Sequence, residues 1–273
     1  MKRAMSAAIV VVVGVVLAAS CGSRIAGTAR LGHAPARILW SEPLAATPPA
    51  LETAEAWTFT PVLAPTQPAP EPLGTVVAHG LAAQITAYVA PDPDSAVIET
   101  FAHPTERGGP QVFQGLGEPV DGWLEVRLPV RPNGTTGWIR VDDVDLTRNP
   151  YRIELDVSDY ELRVFRHDDE VVRTTVSIGT GDTPTPIGQF YLIELLRPSD
   201  PDGLYGPFAY GLSGFSTALT SFNGGPGIIG IHGTNEPELL GSDVSHGCVR
   251  VGNDVISDLA EFLPLGTPVT IRR

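Results

Sequence analysis

The chain has 273 residues, a length that fits one or two domains. Hydrophobic residues make up 42% of it and charged residues 18%, while 29 glycines and 26 prolines indicate many turns and at least one linker. The net charge of −13 argues against a nucleic-acid-binding protein, because such a protein needs a basic face.

The first 21 residues have the pattern of an export signal. Two basic residues precede an apolar stretch from Ala7 to Ala19, which is too short to span a bilayer comfortably. The order Leu17-Ala-Ala-Ser-Cys21 resembles the lipobox of bacterial lipoproteins, although the lipobox prefers Leu one position closer to the Cys. We expect a signal peptide over residues 1–21 and lipidation at Cys21, which would hold the protein to the outer face of the cell membrane. Ordinary secretory cleavage and an uncleaved anchor are the alternatives, and both also place the chain outside the cytoplasm.

The chain has two cysteines, and an exported protein with two cysteines would by default suggest a disulfide. If Cys21 carries lipid, however, Cys248 stands alone. A lone thiol in an oxidising compartment is a liability unless it has a chemical role. The count therefore indicates a functional Cys248.

Two segments of different composition follow the leader. Residues 22–74 contain nine prolines between Pro35 and Pro72 and no lasting apolar period, which predicts a tether that is partly polyproline II. Residues 75–147 alternate short apolar runs with turn clusters, which is typical of a small β-barrel. The predicted strands are Thr75–Ala78, Ile85–Ala90, Ala96–Phe101, Gln111–Gln114, Trp123–Leu128 and Gly137–Arg140.

The end of this second segment resembles the last strands of bacterial SH3-like domains. The residues that carry the resemblance are Asp121-Gly-Trp-Leu-Glu-Val-Arg127, Asn133-Gly134 and Gly137-Trp-Ile-Arg140. The resemblance implies a small barrel of a kind that often accompanies cell-wall enzymes. A generic β-barrel spacer without a ligand is the alternative.

Residues 150–273 predict a second β-rich domain. Alternating apolar residues at 153, 155 and 157, a strand over Leu162–Arg166 and a strand over Val171–Ile178 form a meander. A helix is expected over Asp254–Leu263 with Asn253 as its N-cap, because an apolar stripe follows a capping residue. The segment Gly266–Ile271 then predicts a closing strand.

Two short segments of this domain carry groups suited to nucleophilic chemistry. They are Ile231–Gly241 and Ser245–Arg250, which together offer a thiol, two imidazoles and a guanidinium. A thiol near a His can act as a nucleophile, which makes Cys248 the candidate. His246 shares a face with Cys248 if both lie in one extended strand, whereas His232 needs a loop to bring it alongside. The residues alone leave both histidines open as the base.

Backbone and charged groups near Cys248 could assist such a reaction. The amides of Gly247 and Cys248 could donate to an oxyanion if the loop turns sharply there. Arg250 has the strand parity of Cys248, so it could face the same cleft and bind a carboxylate.

The order His232-Gly-Thr-Asn-x-Pro-x-x-Leu-Gly-x-x-x-Ser-His-Gly-Cys-Val-Arg250 resembles the active-site motif of bacterial L,D-transpeptidases. Upstream, Ser177-Ile-Gly-Thr-Gly181 and Thr183-Pro-Thr-Pro-Ile-Gly-Gln-Phe190 resemble the family's Gly-rich and Thr-Pro-x-Gly segment. The resemblance covers roughly residues 150–272. Many members of the family carry Asn at the position of Arg250.

This resemblance implies a β-sandwich of mixed sheets and a cell-wall reaction that needs no metal or cofactor. Cys248 would be the nucleophile and His232 the general base, with the backbone carbonyl of Gly233 orienting the imidazole. The implied oxyanion and substrate group is Ser245, His246, Gly247 and Arg250. The partner would be the tetrapeptide stem of peptidoglycan. The thiolate attacks the carbonyl of its third residue, expels the terminal D-alanine and passes the acyl group to an amine of another stem. Carbapenem β-lactams are the expected covalent inhibitors.

Other readings of the same residues remain. A zinc hydrolase would use His232, His246 and Cys248, whose residue types are allowed but whose spacing fits no common zinc motif. A sortase-like enzyme places its His and Arg further from the Cys, and a papain-like endopeptidase has the Cys before the His. A catalytically inactive wall-binding lipoprotein is the non-enzymatic alternative.

Overall fold

The computed structural model describes residues 74–222 and 225–273. The expected signal peptide, the lipidation site Cys21 and the Pro-rich tether up to residue 73 lie outside the described residues. The described part is mainly β, with a single α-helix and two short 3-10 turns. None of the helices in this part is long and apolar enough to cross a membrane.

Residues 74–149 form a seven-stranded antiparallel sheet, the first sheet. Its order is β3-β2-β6-β5-β4-β1-β7. Alternating apolar and polar residues form the strands of this sheet: in β2, Ile85 and Ala87 are buried in the core while Gln84 is exposed. The six predicted strands are confirmed to within two residues, and β7 has no counterpart among them. The strands are β1 (Thr75–Gly80), β2 (Gln84–Tyr88), β3 (Val97–Ala102), β4 (Val112–Gly115), β5 (Trp123–Arg127), β6 (Thr136–Arg140) and β7 (Val144–Asn149).

Residues 150–273 form an eight-stranded mixed sheet, the second sheet, with the order β10-β9-β8-β17-β12-β13-β14-β16. The pairs β8–β17 and β14–β16 are parallel, and β11 pairs with β15 in a small parallel sheet of its own. Helix α1 buries Ile256 and Leu259 in the core of this domain. The elements are β8 (Tyr151–Asp156), β9 (Glu161–Arg166), β10 (Asp169–Thr175), β11 (Ile178–Gly179), β12 (Gly188–Leu196), β13 (Ala209–Phe215), β14 (Ile228–His232), β15 (Asp243–Ser245), β16 (Val249–Arg250), α1 (Asn253–Phe262) and β17 (Pro268–Arg272).

Two local predictions for this domain are wrong. The single strand expected over Val171–Ile178 is two strands, because β10 ends at Thr175 and β11 leaves the second sheet to pair with β15. Asn253 does not cap α1 either, since Gly252 holds that position without a side-chain bond. The Asn253 side chain instead accepts a hydrogen bond of 2.8 Å from the Thr234 amide, two residues beyond β14. The residue that looks like a cap therefore supports the loop after His232.

The two sheets contact each other through buried polar bonds. Tyr191 of β12 is fully buried and donates its hydroxyl hydrogen to the Val112 carbonyl of β4 at 3.2 Å. Asn149, the last residue of β7, donates to the Thr267 hydroxyl at 2.8 Å, and both side chains are buried. These bonds fix the first sheet against the domain that carries the candidate site.

Candidate active site

Strands β14 and β16 run parallel at one end of the second sheet and bring the candidate residues together. Ile231 pairs with Val249, and both side chains enter the hydrophobic core. His232 pairs with Arg250 in the next register position. Because alternate residues of an extended chain face the same side, Cys248, Arg250 and His232 share the opposite face. The thiol and the imidazole therefore lie on neighbouring strands.

Cys248 is a free, partly exposed thiol that lies beside Gly230 of β14. The Gly230 amide donates to its Sγ at 3.4 Å. Burial raises the pKa of Cys248 above its ordinary value, and the Gly230 amide and the positive charge of Arg250 offset this only in part. At neutral pH the resting thiol is therefore protonated and needs a base before it can attack.

His232 has the environment of such a base. It is buried, and its Nδ1 lies 2.6 Å from the Gly233 carbonyl oxygen, which can only accept a hydrogen bond. The proton must therefore sit on Nδ1, so Nε2 keeps a free lone pair. Burial lowers the pKa of His232 to about 4; the bond to Gly233 raises it in part, and the charge of Arg250 lowers it further. The imidazole is thus neutral at pH 7 and ready to accept a proton.

The loop between β15 and β16 is held by two buried hydroxyls. Gly247 has a φ of 116°, a backbone conformation that favours glycine, and it ends the extended segment before Cys248. The Ser245 hydroxyl accepts from the Gly247 amide at 3.0 Å and donates to the Cys248 carbonyl at 2.6 Å. Thr185 donates to the Gly247 carbonyl at 3.0 Å. The Gly247 amide, expected as an oxyanion donor, is therefore already bound to Ser245.

Arg250 is buried and forms an ion pair with Glu236. Its Nη1 lies 2.8 Å from Glu236 Oε2, and its side chain is 9% exposed against 45% for Glu236. Its Nε is buried and has no hydrogen-bond partner within residues 74–222 and 225–273. Arg250 thus acts on Cys248 and His232 through its charge, and its contact with a substrate carboxylate stays a prediction.

His246 is not part of the group held by β14 and β16. It follows the end of β15, so it shares no strand with Cys248, and its side chain is exposed with its ring 5.4 Å from that of Phe222. The set His232, His246 and Cys248 considered for zinc is not assembled, since no three metal-binding side chains cluster in the described part of the chain.

Cys248 and His232 open into one pocket of about 420 Å³. Tyr205 covers the imidazole, with its ring centroid 4.8 Å from that of His232. The segment from Gly225 to Gly230 forms one wall, and Arg107, from the connection between β3 and β4, lines the pocket as well. The first sheet therefore contributes to a pocket whose reactive groups belong to the second sheet.

Arg131, from the connection between β5 and β6, holds the wall formed by Gly225 to Gly230 and the segment before it. Arg131 donates to the carbonyls of Ser216, Leu219 and Pro226 at 2.9 to 3.0 Å, and its guanidinium lies 4.8 Å from the Phe215 ring centroid. Neither Arg107 nor Arg131 stands in a motif, and both are far in sequence from His232 and Cys248, so no local pattern indicates them.

Comparison with known proteins identifies the family. The family model of the L,D-transpeptidase catalytic domain matches residues 150–271. A Bacillus subtilis protein named as an L,D-transpeptidase, YkuD, is 33% identical over 124 residues, which cover 45% of this chain and 67% of that protein. The chain belongs to the L,D-transpeptidase family.

Other L,D-transpeptidases are similar to the chain as well. The Bacillus licheniformis protein named YkuD is 34% identical over 122 residues, 45% of this chain and 66% of that protein, so the chain spans about two thirds of these relatives. A solved structure of L,D-transpeptidase 3 from Mycobacterium tuberculosis, in complex with a faropenem-derived adduct, covers 60% of this chain and 91% of that one at 15% identity and a TM-score of 0.40.

Proposed function

We propose that this L,D-transpeptidase transfers an acyl group from a peptidoglycan stem tetrapeptide to an amine of another stem. The observation that carries the proposal is the placement of Cys248 and a neutral His232 in one pocket, with the Nδ1 hydrogen of His232 bound to Gly233. That arrangement leaves Nε2 as a base next to a protonated thiol. We expect no metal or cofactor to take part.

The reaction follows from these groups. Nε2 of His232 takes the thiol proton while sulfur bonds to the carbonyl carbon of the third stem residue. The carbon–nitrogen bond to the terminal D-alanine breaks, and the imidazolium gives its proton to the leaving amine. An amine of a second stem then attacks the thioester, and the proton it loses returns through Nε2 to sulfur. With the Gly247 amide bound to Ser245, we assign oxyanion stabilisation to the Cys248 amide.

Intact-mass spectrometry of the protein with purified stem tetrapeptides tests this function. We expect an acyl-enzyme on Cys248, release of D-alanine and a cross-linked product when a second stem is present. Cys248→Ala should give none of these, while retaining the fold. Absence of any adduct on the wild type would refute the transferase and favour the inactive wall-binding module.

We also propose that carbapenem β-lactams acylate Cys248. The strained lactam carbonyl presents the same electrophile to the thiol, and its carboxylate could meet the charge of Arg250. Lys2 is the only lysine in the chain, so a chain cleaved before Cys21 has no side-chain amine that could resolve the thioester. A single long-lived adduct is expected on the wild type and none on Cys248→Ala.

For the first sheet we propose an SH3-like barrel and, for the second domain, a sandwich of mixed sheets. Strand order and antiparallel pairing of the first sheet are compatible with a small barrel. Binding of the protein to insoluble peptidoglycan, compared before and after removal of the stem peptides, would separate a wall-binding domain from a spacer.

We further propose that a diacyl anchor at Cys21 places the enzyme on the outer face of the cell membrane. Each buried methylene contributes about 0.8 kcal/mol, so two or more chains hold firmly. Cys21→Ala should release the protein from the membrane fraction without changing its rate in solution. A variant that stays in the membrane fraction would indicate an uncleaved anchor.

A further inference from the structure

Glu236 lies in the loop that follows His232 and connects β14 to β15. It stands at a position that the family motif leaves open, since the motif has no fixed residue between Asn235 and Pro237. Its carboxylate nevertheless reaches a residue of the motif, because Oε2 accepts a hydrogen bond of 2.8 Å from Nη1 of Arg250. A side chain that the motif does not specify thus contacts one that it does.

The Arg250 guanidinium depends on this contact. Arg250 is buried, and Glu236 is its one ion-pair partner among residues 74–222 and 225–273. Its Nε is also buried and has no hydrogen-bond partner in that part of the chain. A buried guanidinium without an acceptor leaves its donors unpaired, which favours a rotamer that reaches water. The half-exposed carboxylate of Glu236 therefore keeps a positive charge inside the protein.

The loop fixes the position of Glu236. The Thr234 hydroxyl accepts from the Glu236 amide at 3.0 Å, and the Thr234 amide donates to the Asn253 side chain at 2.8 Å. A 3-10 turn over Pro237–Leu239 follows directly. These contacts hold the backbone from which the carboxylate of Glu236 reaches Arg250.

The charge of Arg250 acts on both reactive groups. It lowers the pKa of Cys248 and that of His232. Arg250 shares a face of β14 and β16 with both side chains, yet it does not line the pocket. Its charge can therefore stabilise negative charge on sulfur and on the tetrahedral oxyanion from within the protein. This stabilisation requires a guanidinium that stays in place.

We propose that Glu236 is a positioning residue of the transferase, because its carboxylate holds the Arg250 guanidinium near Cys248 and His232. Glu236 acts through Arg250 and does not itself line the pocket. The inference rests on the proposed function and adds a residue that the motif leaves open to the groups on which the thiol depends. The hydrogen bond to Nη1 carries the effect, so an amide in place of the carboxylate should preserve most of it.

Two exchanges at Glu236 test the proposal. Glu236→Ala removes the acceptor, so kcat for D-alanine release from a stem tetrapeptide should fall about tenfold, the effect of one hydrogen bond to a charged group. Glu236→Gln keeps an oxygen that accepts from Nη1, so kcat should stay within about threefold of the wild type. KM should change less than kcat, because neither Glu236 nor Arg250 lines the pocket.

Alkylation of Cys248 by iodoacetamide gives a second readout, which needs no donor. Its rate at pH 7 follows the thiolate fraction, so it should fall about threefold in Glu236→Ala and should not fall in Glu236→Gln. In Arg250→Met, where the charge is already gone, adding Glu236→Ala should cause no further loss. Urea titrations of each variant should show that it is folded under the assay conditions.

Glu238→Ala is the matched control. It removes the same group two residues further along the same loop, where the side chain is exposed and has no ion pair with any described residue. It should change neither kcat nor the alkylation rate.

Three results would overturn the inference while leaving the transferase intact. A wild-type kcat in Glu236→Ala would show that Arg250 keeps its place without Glu236. Faster alkylation in Glu236→Ala would mean the same, because a guanidinium that stays and loses its counterion stabilises the thiolate more. An undiminished effect of Glu236→Ala in Arg250→Met would show that Glu236 acts by another route. Absence of D-alanine release by the wild type would instead refute the proposed function, while alkylation would still test the hold on Arg250.

Discussion

The protonation states of Cys248 and His232 predict how the acylation rate depends on pH. With the pKa of His232 at about 4 and that of Cys248 raised, the resting enzyme holds a neutral thiol and a neutral imidazole at pH 7. At pH 5 only about 9% of His232 would be protonated, so about 90% of the acylation rate should remain. An imidazole with the ordinary pKa of about 6.5 would keep about 3%.

The assay compares two reactions of the same thiol. Acylation by a carbapenem, followed by intact mass from pH 4 to 8, should stay nearly flat down to pH 5 and fall by half near pH 4. His232→Asn, whose amide can still donate to Gly233, should lose at least about a hundredfold at pH 7. Alkylation by iodoacetamide, which needs only the thiolate, should rise steadily with pH and be nearly the same in both proteins. Fast alkylation of the wild type at pH 6, lost in His232→Asn, would reveal a preformed thiolate–imidazolium pair and refute this reasoning.

Three further outcomes follow from the same geometry. The unfolded chain protonates His232 near pH 6.5 and the folded protein only near pH 4. As the pH decreases from 6.5 to 4, the free energy of unfolding should therefore decrease by up to about 3 kcal/mol. Urea titrations should show this loss in the wild type and not in His232→Asn. In Arg131→Ala, three carbonyls lose a cationic donor. The KM for the donor should therefore rise about threefold to tenfold, and amide hydrogen exchange in residues 216–222 should become faster. Unchanged exchange would contradict this. Asn253→Ala should lower the free energy of unfolding by about 1–3 kcal/mol, because the Thr234 amide loses its acceptor, and a stability equal to that of the wild type would exclude the bond.

Local patterns predicted most of the strands because alternation is a property of neighbouring residues. β7 escaped because its exposed residues, such as Asp145 and Arg148, dilute the apolar positions. The break between β10 and β11 escaped because the pairing of β11 with β15, about 65 residues away, ends the first strand and starts the second.

In the candidate site, too, local pattern predicted some features and long-range strand pairing decided the others. The resemblance of the motif implied Cys248 as nucleophile and His232 as base, whereas strand parity alone left both histidines open. The parallel register of β14 and β16 puts His232 on the face of Cys248, and the turn at Gly247 sends His246 elsewhere. Glu236, which pairs with Arg250, carries no signal in the sequence that distinguishes it from Glu238 beside it.

The buried hydrogen bonds between the two sheets have a thermodynamic consequence. If the first sheet unfolded alone, the hydroxyl of Tyr191 and that of Thr267 would lose their partners from Val112 and Asn149. A side chain at Gly266 would meet Val77 at 2.4 Å, so the two surfaces also fit closely. Unfolding of either part therefore destabilises the other, so the described residues should unfold in one cooperative transition. Calorimetry should then give an unfolding enthalpy equal to the van't Hoff enthalpy.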